Sequence, residues 1–467
     1  MNKYTRLLSN TFLFAISTFS SKILVFLLMP FYTEILPPDA KATADLIIKS
    51  GNLVQPLLTL GIGNAVIRFG LDKACRRESV YTNAVTAIVM GSAVSLCFWP
   101  ALALIPDLNQ HIPLLYIFMI VSVLRNSLSS NFVRSQMYTR LYAVDGVLNS
   151  ALYVLFMVLF LKPFGWGITG FVLATVMADA CSILFLTVVA GLHRYLKPRY
   201  FNGRLFKEMV RYSAPLIPSS MFWWIINTSD FYFVKFINGN TMAGLYSVAY
   251  NIPNIIMMFS SLFTEAWQLS AVTEDAQDKK ARERFFSRVF FCFQGLIFSV
   301  SAGLIVLCKV CISILAADSY YTAWQYVPLL ILAMIFSCFV TFIGSIYMVE
   351  KRSSLSFYTM LVGAVMNLGL NALLIPVMGP NGAAVATILS YLTVFVIRAV
   401  NTKKYIRMKL YTGRIVFNIT LLTAEAFIMM AEPPLWPVYC GLLTLAVLAF
   451  NFSALWQSAK KLLHRGV

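Results

Sequence analysis

Positive charge in this chain is confined almost entirely to alternate gaps between apolar stretches. Stretches long enough to cross a bilayer, roughly 20 residues each, recur about fourteen times. Of the 37 lysines and arginines, 29 fall in every second gap, counting the two ends. Lysine and arginine bias the cytoplasmic side of membrane proteins. The pattern therefore predicts an all-α integral membrane protein with both termini in the cytoplasm. Four cations, Lys22, Lys49, Arg68 and Arg125, fall clearly inside the stretches. A cation in hydrocarbon costs about 2.5–3.5 kcal/mol even on the gentlest scale, so these four are the first candidates for a functional site.

The chain is 59% hydrophobic and 12% charged, against about 45–50% and about 25% for a soluble domain. A net charge of +18 in a soluble protein would suggest nucleic acid. Here the charges are read as topology signals that meet anionic headgroups, and no nucleic-acid partner is expected. The N-terminus carries Lys3 and Arg6 and then turns apolar to about Ile35. That run exceeds a signal-peptide core of roughly 7–15 residues and lacks a small-x-small cleavage site, so it reads as a retained first span. The eight cysteines lie in apolar segments. Cys308 and Cys311 form a C-x-x-C without a second pair or nearby histidines. Small buried hydrophobes are the expected role, and no metal site or cofactor is expected.

The predicted spans are 10–35, 43–69, 80–105, 112–133, 141–161, 168–192, 212–237, 242–271, 285–307, 323–349, 355–376, 383–400, 415–430 and 435–458. The gaps on the outer side are short and the inner gap 272–284 is a charged connector, so no soluble catalytic domain is expected. An internal repeat relates the sixth and twelfth spans. Gly170-Phe-Val-Leu-Ala174-Thr175 follows a Pro/Gly turn, as Gly382-Ala-Ala-Val-Ala386-Thr387 does, and Asn149 and Asn367 stand early in the preceding spans. An offset of six spans gives two halves of like orientation. The expected division is an N-lobe at 1–207, a C-lobe at 208–410 and a terminal helix pair at 411–467.

Polar residues within the spans recur at helical steps. In the second span these include Asp45, Lys49, Asn52 and Thr59; in the fourth, Ser122, Arg125, Asn126 and Ser129; in the seventh, Asn227-Thr-Ser-Asp230; in the eighth, Asn251, Asn254 and Glu265. Such stripes cannot face lipid, because each unsatisfied polar group there costs several kcal/mol. They face neighbouring helices or a water-filled cavity. Asp45, one turn from Lys49, offers a local ion pair. Lys22 and Arg125 have no carboxylate one turn away in their own spans, which leaves a wet anion-accepting cavity or salt bridges across helices.

The segments Asn227-Thr-Ser-Asp230 and Gly244-Leu-Tyr-Ser-Val-Ala-Tyr250 resemble the seventh-to-eighth-helix signature of oligosaccharide-lipid flippases, within the multidrug/oligosaccharidyl-lipid/polysaccharide transporter superfamily. Gly61-Ile-Gly-Asn-Ala-Val-Ile-Arg68-Phe69, Phe263-Thr-Glu-Ala-Trp267, Phe342-Ile-Gly-Ser-Ile-Tyr347 and Asn367-Leu-Gly-Leu-Asn371 extend the likeness over nearly the whole chain. The resemblance implies about fourteen transmembrane helices arranged as two pseudo-symmetric six-helix lobes around a central cavity, plus a C-terminal helix pair, working by alternating access in a bacterial or archaeal cytoplasmic membrane. It implies a monomer that is not an enzyme and moves a polyprenyl-diphosphate-linked sugar to the outer leaflet. Lys22, Lys49, Arg68 and Arg125 would supply the family's basic cavity. Asp45, Asn52, Asn126, Asp230, Asn251, Asn254 and Glu265 would line it or couple transport to the membrane potential, H+ or Na+. Many members carry an arginine after the seventh-helix aspartate, where this chain has Phe231. The competing expectations are a multidrug/cation antiporter of the same superfamily, centred on a carboxylate, and a polysaccharide polymerase or ligase.

Overall fold

The computed structural model describes residues 26–72, 74–97, 99–273, 279–349 and 353–464. All regular structure among them is helical. They form two compact units, one ending at Trp224 and the other beginning at Ile225.

The first unit contains α1 (Met29–Ile35), α2 (Pro38–Leu58), α3 (Ile62–Leu71), α4 (Arg77–Leu96), α5 (Ile112–Ser135), α6 (Thr139–Leu161), α7 (Gly167–Val189) and α8 (Gly203–Ser213). Prolines at the first helical positions of α2 and α5 use an amide that would be unpaired anyway. Ile62 and Val66 of α3, Ile88 of α4, Phe132 of α5 and Leu186 of α7 share one apolar core.

The helix α9 (Ile217–Asn238) carries the chain from the first unit into the second. The second unit continues with α10 (Asn240–Ala249), α11 (Asn251–Thr273), α12 (Lys279–Val306), α13 (Cys308–Leu315), α14 (Val327–Val349), α15 (Ser353–Met378), α16 (Pro380–Asn401), α17 (Thr412–Ala431) and α18 (Trp436–His464). Phe290 and Phe293 of α12 pack on Phe339 and Phe342 of α14 with ring centroids 5.0–6.2 Å apart. Arg414 of α17 ties the terminal pair to α12. It donates to Asn451 Oδ1 of α18 and to the Phe291 carbonyl, and its guanidinium lies 3.9 Å from the Phe291 ring centroid.

Among the described residues ten helices are long and apolar enough to cross a membrane, or eleven if α2 and α3 count as one span bent by 53°. They account for eleven of the fourteen expected spans. The expected span 10–35 lies largely outside the described residues. The other two are present as α9 and α10–α11, whose apolar character is diluted by Asn227, Asp230, Asn251 and Asn254.

The bend after α2 has a local cause. Leu60 and Gly61 both adopt left-handed backbone, at φ 50° and 66°. A Cβ on Gly61 would sit 3.1 Å from both the Ser213 carbonyl and Ile217 Cγ1. An L-residue in this region costs about 1–2 kcal/mol. Gly61→Ala is therefore expected to lower the thermal midpoint of the purified protein by that much stability, read by circular dichroism in detergent.

Glycine also sets the two repeat-related hairpins. A Cβ on Gly170 of α7 would meet Phe160 of α6 at 3.2 Å, and one on Gly382 of α16 would meet the Leu374 carbonyl of α15 at 2.4 Å. Each hairpin is further tied by its early asparagine. Asn149 donates to Asp179 (3.1 Å) and Asn367 to Thr387 (3.1 Å).

Candidate functional site

In the first unit a chain of polar side chains runs from α2 through α5 to α6 and α7. Gln55 donates to Asn52 Oδ1 (3.3 Å) and Ser122 Oγ (3.0 Å). Asn126 donates to Ser122 (3.1 Å) and accepts from Arg125 Nη1 (3.0 Å). Arg125 Nη2 meets Asp145 Oδ2 at 3.2 Å, and Nε meets Asp179 Oδ1 at 3.6 Å and Ser182 Oγ at 3.2 Å. Ser182 in turn donates to Asp145 Oδ1. One guanidinium thus stands between two carboxylates, and of the two environments left open for Arg125 this is the salt bridge across helices.

The outer end of this chain is uncovered. Asn52 and Asn126 are exposed, whereas Asp145 and Asp179 are buried. Both asparagines lie within helices of membrane-spanning character. Lipid offers such amides no hydrogen-bond partners, so an open polar surface at this position sets the unit apart from a purely lipid-facing bundle.

The residues 122, 125, 126 and 129 do not share one environment. Ser122 and Ser129 are buried, Arg125 is half-buried and Asn126 is exposed. The reason is a π-helical segment, Leu124–Ser130, inside α5. Its wider turns carry extra residues, which shifts the register of the residues that follow, although Asn126 still reaches Ser122 one turn back.

The remaining candidates of the first unit are dispersed. Asp45 is buried and pairs with Lys41, four residues before it, at 2.5 Å. Lys41 is itself buried, with its ammonium 5.4 Å and 5.0 Å from the Tyr32 and Phe171 ring centroids. Lys49 is half-buried on α2, one turn before Asn52. Arg68 is exposed beyond the α2–α3 bend and lies 4.9 Å from the Tyr212 ring centroid. Lys22 and the side chain of Glu265 lie outside the described residues.

In the second unit the polar groups close on Asp230 of α9, which is buried. Its carboxylate accepts from Tyr246 (3.0 Å) of α10, Asn371 (2.9 Å) of α15 and Thr387 (2.7 Å) of α16. Ser229 donates to Asn367 Oδ1 (2.7 Å), and Asn367 donates to Thr387 Oγ1, which turns the threonine hydroxyl proton toward Asp230. Among the described residues no cation forms an ion pair with Asp230. Asn371 Oδ1 is buried and accepts no hydrogen bond. The arrangement is one negative charge ringed by neutral donors with a free amide oxygen beside it. On α11, Asn251 is half-buried and Asn254 exposed.

Tyr246, Asn371 and Thr387 complete this cluster but are not among the residues expected from polar periodicity. Their signal was positional: Tyr246 and Asn371 fall in segments that carry the family likeness, and Thr387 closes the repeated segment of the twelfth span. Arg398 of α16 is a further buried cation beyond the expected four. It donates only to neutral acceptors, Thr359 Oγ1 (3.0 Å), the Val340 carbonyl (2.9 Å) and Ser356, and its place holds α14, α15 and α16 together.

On the opposite face from the basic loops, Lys309 of α13 sits 4.2 Å from both the Trp324 and Trp436 ring centroids and pairs with Glu432. This cation is accounted for by packing alone. Among the described residues no group of three or more metal-ligating side chains comes together.

The comparisons with known proteins agree on one fold. A family profile described as polysaccharide biosynthesis protein matches residues 7–267. The lipid II flippase MurJ, in an inward closed conformation, is similar over 96% of this chain and 99% of its own, at 14% identity and a TM-score of 0.71. An inward-facing multidrug resistance MATE family transporter is similar over 82% of this chain and 95% of its own, at 13% identity and a TM-score of 0.67. An outward-facing MATE family transporter is similar over 90% and 99%, at 14% identity and a TM-score of 0.63. Both families are transporters of the superfamily whose helical signature the sequence resembles. No curated protein matches by sequence.

Proposed function

Since the chain belongs to the polysaccharide biosynthesis protein family, we propose that it is a flippase and not an enzyme, moving a polyprenyl-diphosphate-linked oligosaccharide from the inner to the outer leaflet by alternating access. The observation that supports this reading is the exposed polar surface of the first unit, Asn52 and Asn126, backed by Gln55, Ser122 and Arg125; we infer that it lines a water-filled cavity. Amide and hydroxyl groups of this kind suit the hydroxyls of a sugar. Lys49 and Arg68, with Lys22, are the groups we assign to the diphosphate, where an ammonium or guanidinium replaces water by charge-assisted hydrogen bonds. Arg125 orients the polar chain rather than supplying net positive charge, because Asp145 and Asp179 outweigh it.

Transport outward of a negatively charged headgroup is favoured by an inside-negative potential, by about 2.3 kcal/mol per charge per 100 mV. We assign Asp230 to the coupling ion, H+ or Na+. Burying a carboxylate without a counter-charge is costly, and either ion would neutralise it against Asn371 Oδ1. The protein acts as a monomer in this scheme.

The test is translocation of a polyprenyl-diphosphate-linked oligosaccharide in proteoliposomes. Lys49→Ala with Arg68→Ala is expected to reduce the rate at least tenfold, with folding unchanged by circular dichroism. Full activity in the double variant would remove these cations from the headgroup site. The Asp230 cluster also favours a second reading, a cation antiporter. Efflux of a cationic dye driven by a proton or sodium gradient, without lipid-linked sugar transport, would select it.

A further inference from the structure

A cavity of about 900 Å³ opens in the second unit where α12 and α17 begin. Five cations line it, Lys280, Arg284, Arg288, Arg407 and Lys409, against one carboxylate, Glu283. Two periodicities bring them together. On α12 residues 280, 284 and 288 recur every fourth position along one face. Before α17 burial alternates along the connection: Ile406 and Met408 are buried while Arg407 and Lys409 are exposed.

The cavity wall is held in place. The Arg407 amide donates to Glu283 Oε1 (3.1 Å), the Lys409 amide to Ser287 Oγ (2.8 Å) and Gln294 to the Leu410 carbonyl (2.8 Å). These bonds strap the connection along α12 and occupy an oxygen of the sole carboxylate. Arg288, Arg407 and Lys409 form no ion pair with any described residue. Five like charges around one concavity repel one another, and the potential they create draws anions.

The site lies at the level where the apolar runs Glu283–Val306 and Thr412–Ala431 begin. Phe291 and Tyr411, with ring centroids 5.1 Å apart, add an apolar wall to it. Basic pockets at the ends of membrane helices take anionic lipid headgroups. The positive-inside rule places this end on the cytoplasmic side. We propose that this cavity binds a headgroup carrying two phosphates, presented by an anionic lipid of the inner leaflet. None of the residues assigned above to transport lines it, so the proposal does not depend on the flippase reading.

The experiment is native mass spectrometry of the full chain in detergent, titrated separately with cardiolipin (two phosphates), phosphatidylcholine (zwitterionic) and sodium pyrophosphate. We expect one cardiolipin per chain, bound at least tenfold more tightly than phosphatidylcholine. Arg288→Gln, Arg407→Gln and Lys409→Gln together should weaken cardiolipin at least tenfold, and the single Arg407→Gln less. A matched set in the other basic connection, Arg199→Gln, Arg204→Gln and Lys207→Gln, should leave it unchanged. Equal retention of phosphatidylcholine, or equal loss in both triple variants, would overturn the proposal. Pyrophosphate bound in place of cardiolipin would overturn it in favour of a soluble phosphate ligand.

Discussion

Arg125→Ala is expected to destabilise the protein by about 3–5 kcal/mol, the cost of removing one partner from a buried ion pair. The substitution leaves Asp145 and Asp179, at 1% and 4% exposed, without their cation. It also strips a donor from Asn126 and Ser182. Arg125→Lys should recover only part of the loss, because a single ammonium cannot reproduce contacts made by Nε, Nη1 and Nη2 in three directions. The combination Arg125→Ala, Asp145→Asn, Asp179→Asn should recover more than Arg125→Ala alone, since no uncompensated charge remains. Thermal midpoints of the purified variants in detergent decide this. A midpoint unchanged in Arg125→Ala would show that the two carboxylates do not depend on the guanidinium.

The second large effect is expected at Asp230. Asp230→Leu would strand three inward donors, Tyr246, Asn371 and Thr387, at about 1–3 kcal/mol for each buried group left unpaired. Asp230→Asn keeps the size and one acceptor oxygen, so it should fold while losing the charge. In proteoliposomes the asparagine variant is expected to translocate substrate at least tenfold more slowly and to stop responding to an imposed proton or sodium gradient. A variant that keeps its gradient response would place ion coupling elsewhere.

The membrane spans were legible because a bilayer demands a simple pattern. Each helix must be long and apolar, and cations must collect on one side. The hairpin repeat was legible for a similar reason, since Gly170 and Gly382 permit the close approach that the repeat depends on. Asp230 was visible as a lone carboxylate in an apolar stretch, but its partners come from helices far along the chain. Arg125 illustrates the limit better. Its own helix holds no acid at helical spacing, and Asp145 and Asp179 reach it only once α5, α6 and α7 pack. Lys41 stands in a gap between predicted spans, where nothing in the sequence signals that two aromatic rings and Asp45 bury it. The cationic cavity was hidden because a run of basic residues between helices reads as a connector. Only the alternating burial at 406–409 and the face of α12 turn it into a concave wall.

The π-helical segment in α5 works as a phase shifter. In a continuous α-helix, the inward stripe through Leu115, Met119 and Ser122 would run on to position 126 and hide an asparagine within the helix bundle. The widened turns of Leu124–Ser130 rotate the later half of the rod, so the same asparagine emerges on the exposed side while Phe132 and Val133 return to the core. Shortening this stretch by one residue would turn the rest of the rod by about 100°, so the length of the segment, as much as its composition, determines which side chains this helix presents to its neighbours.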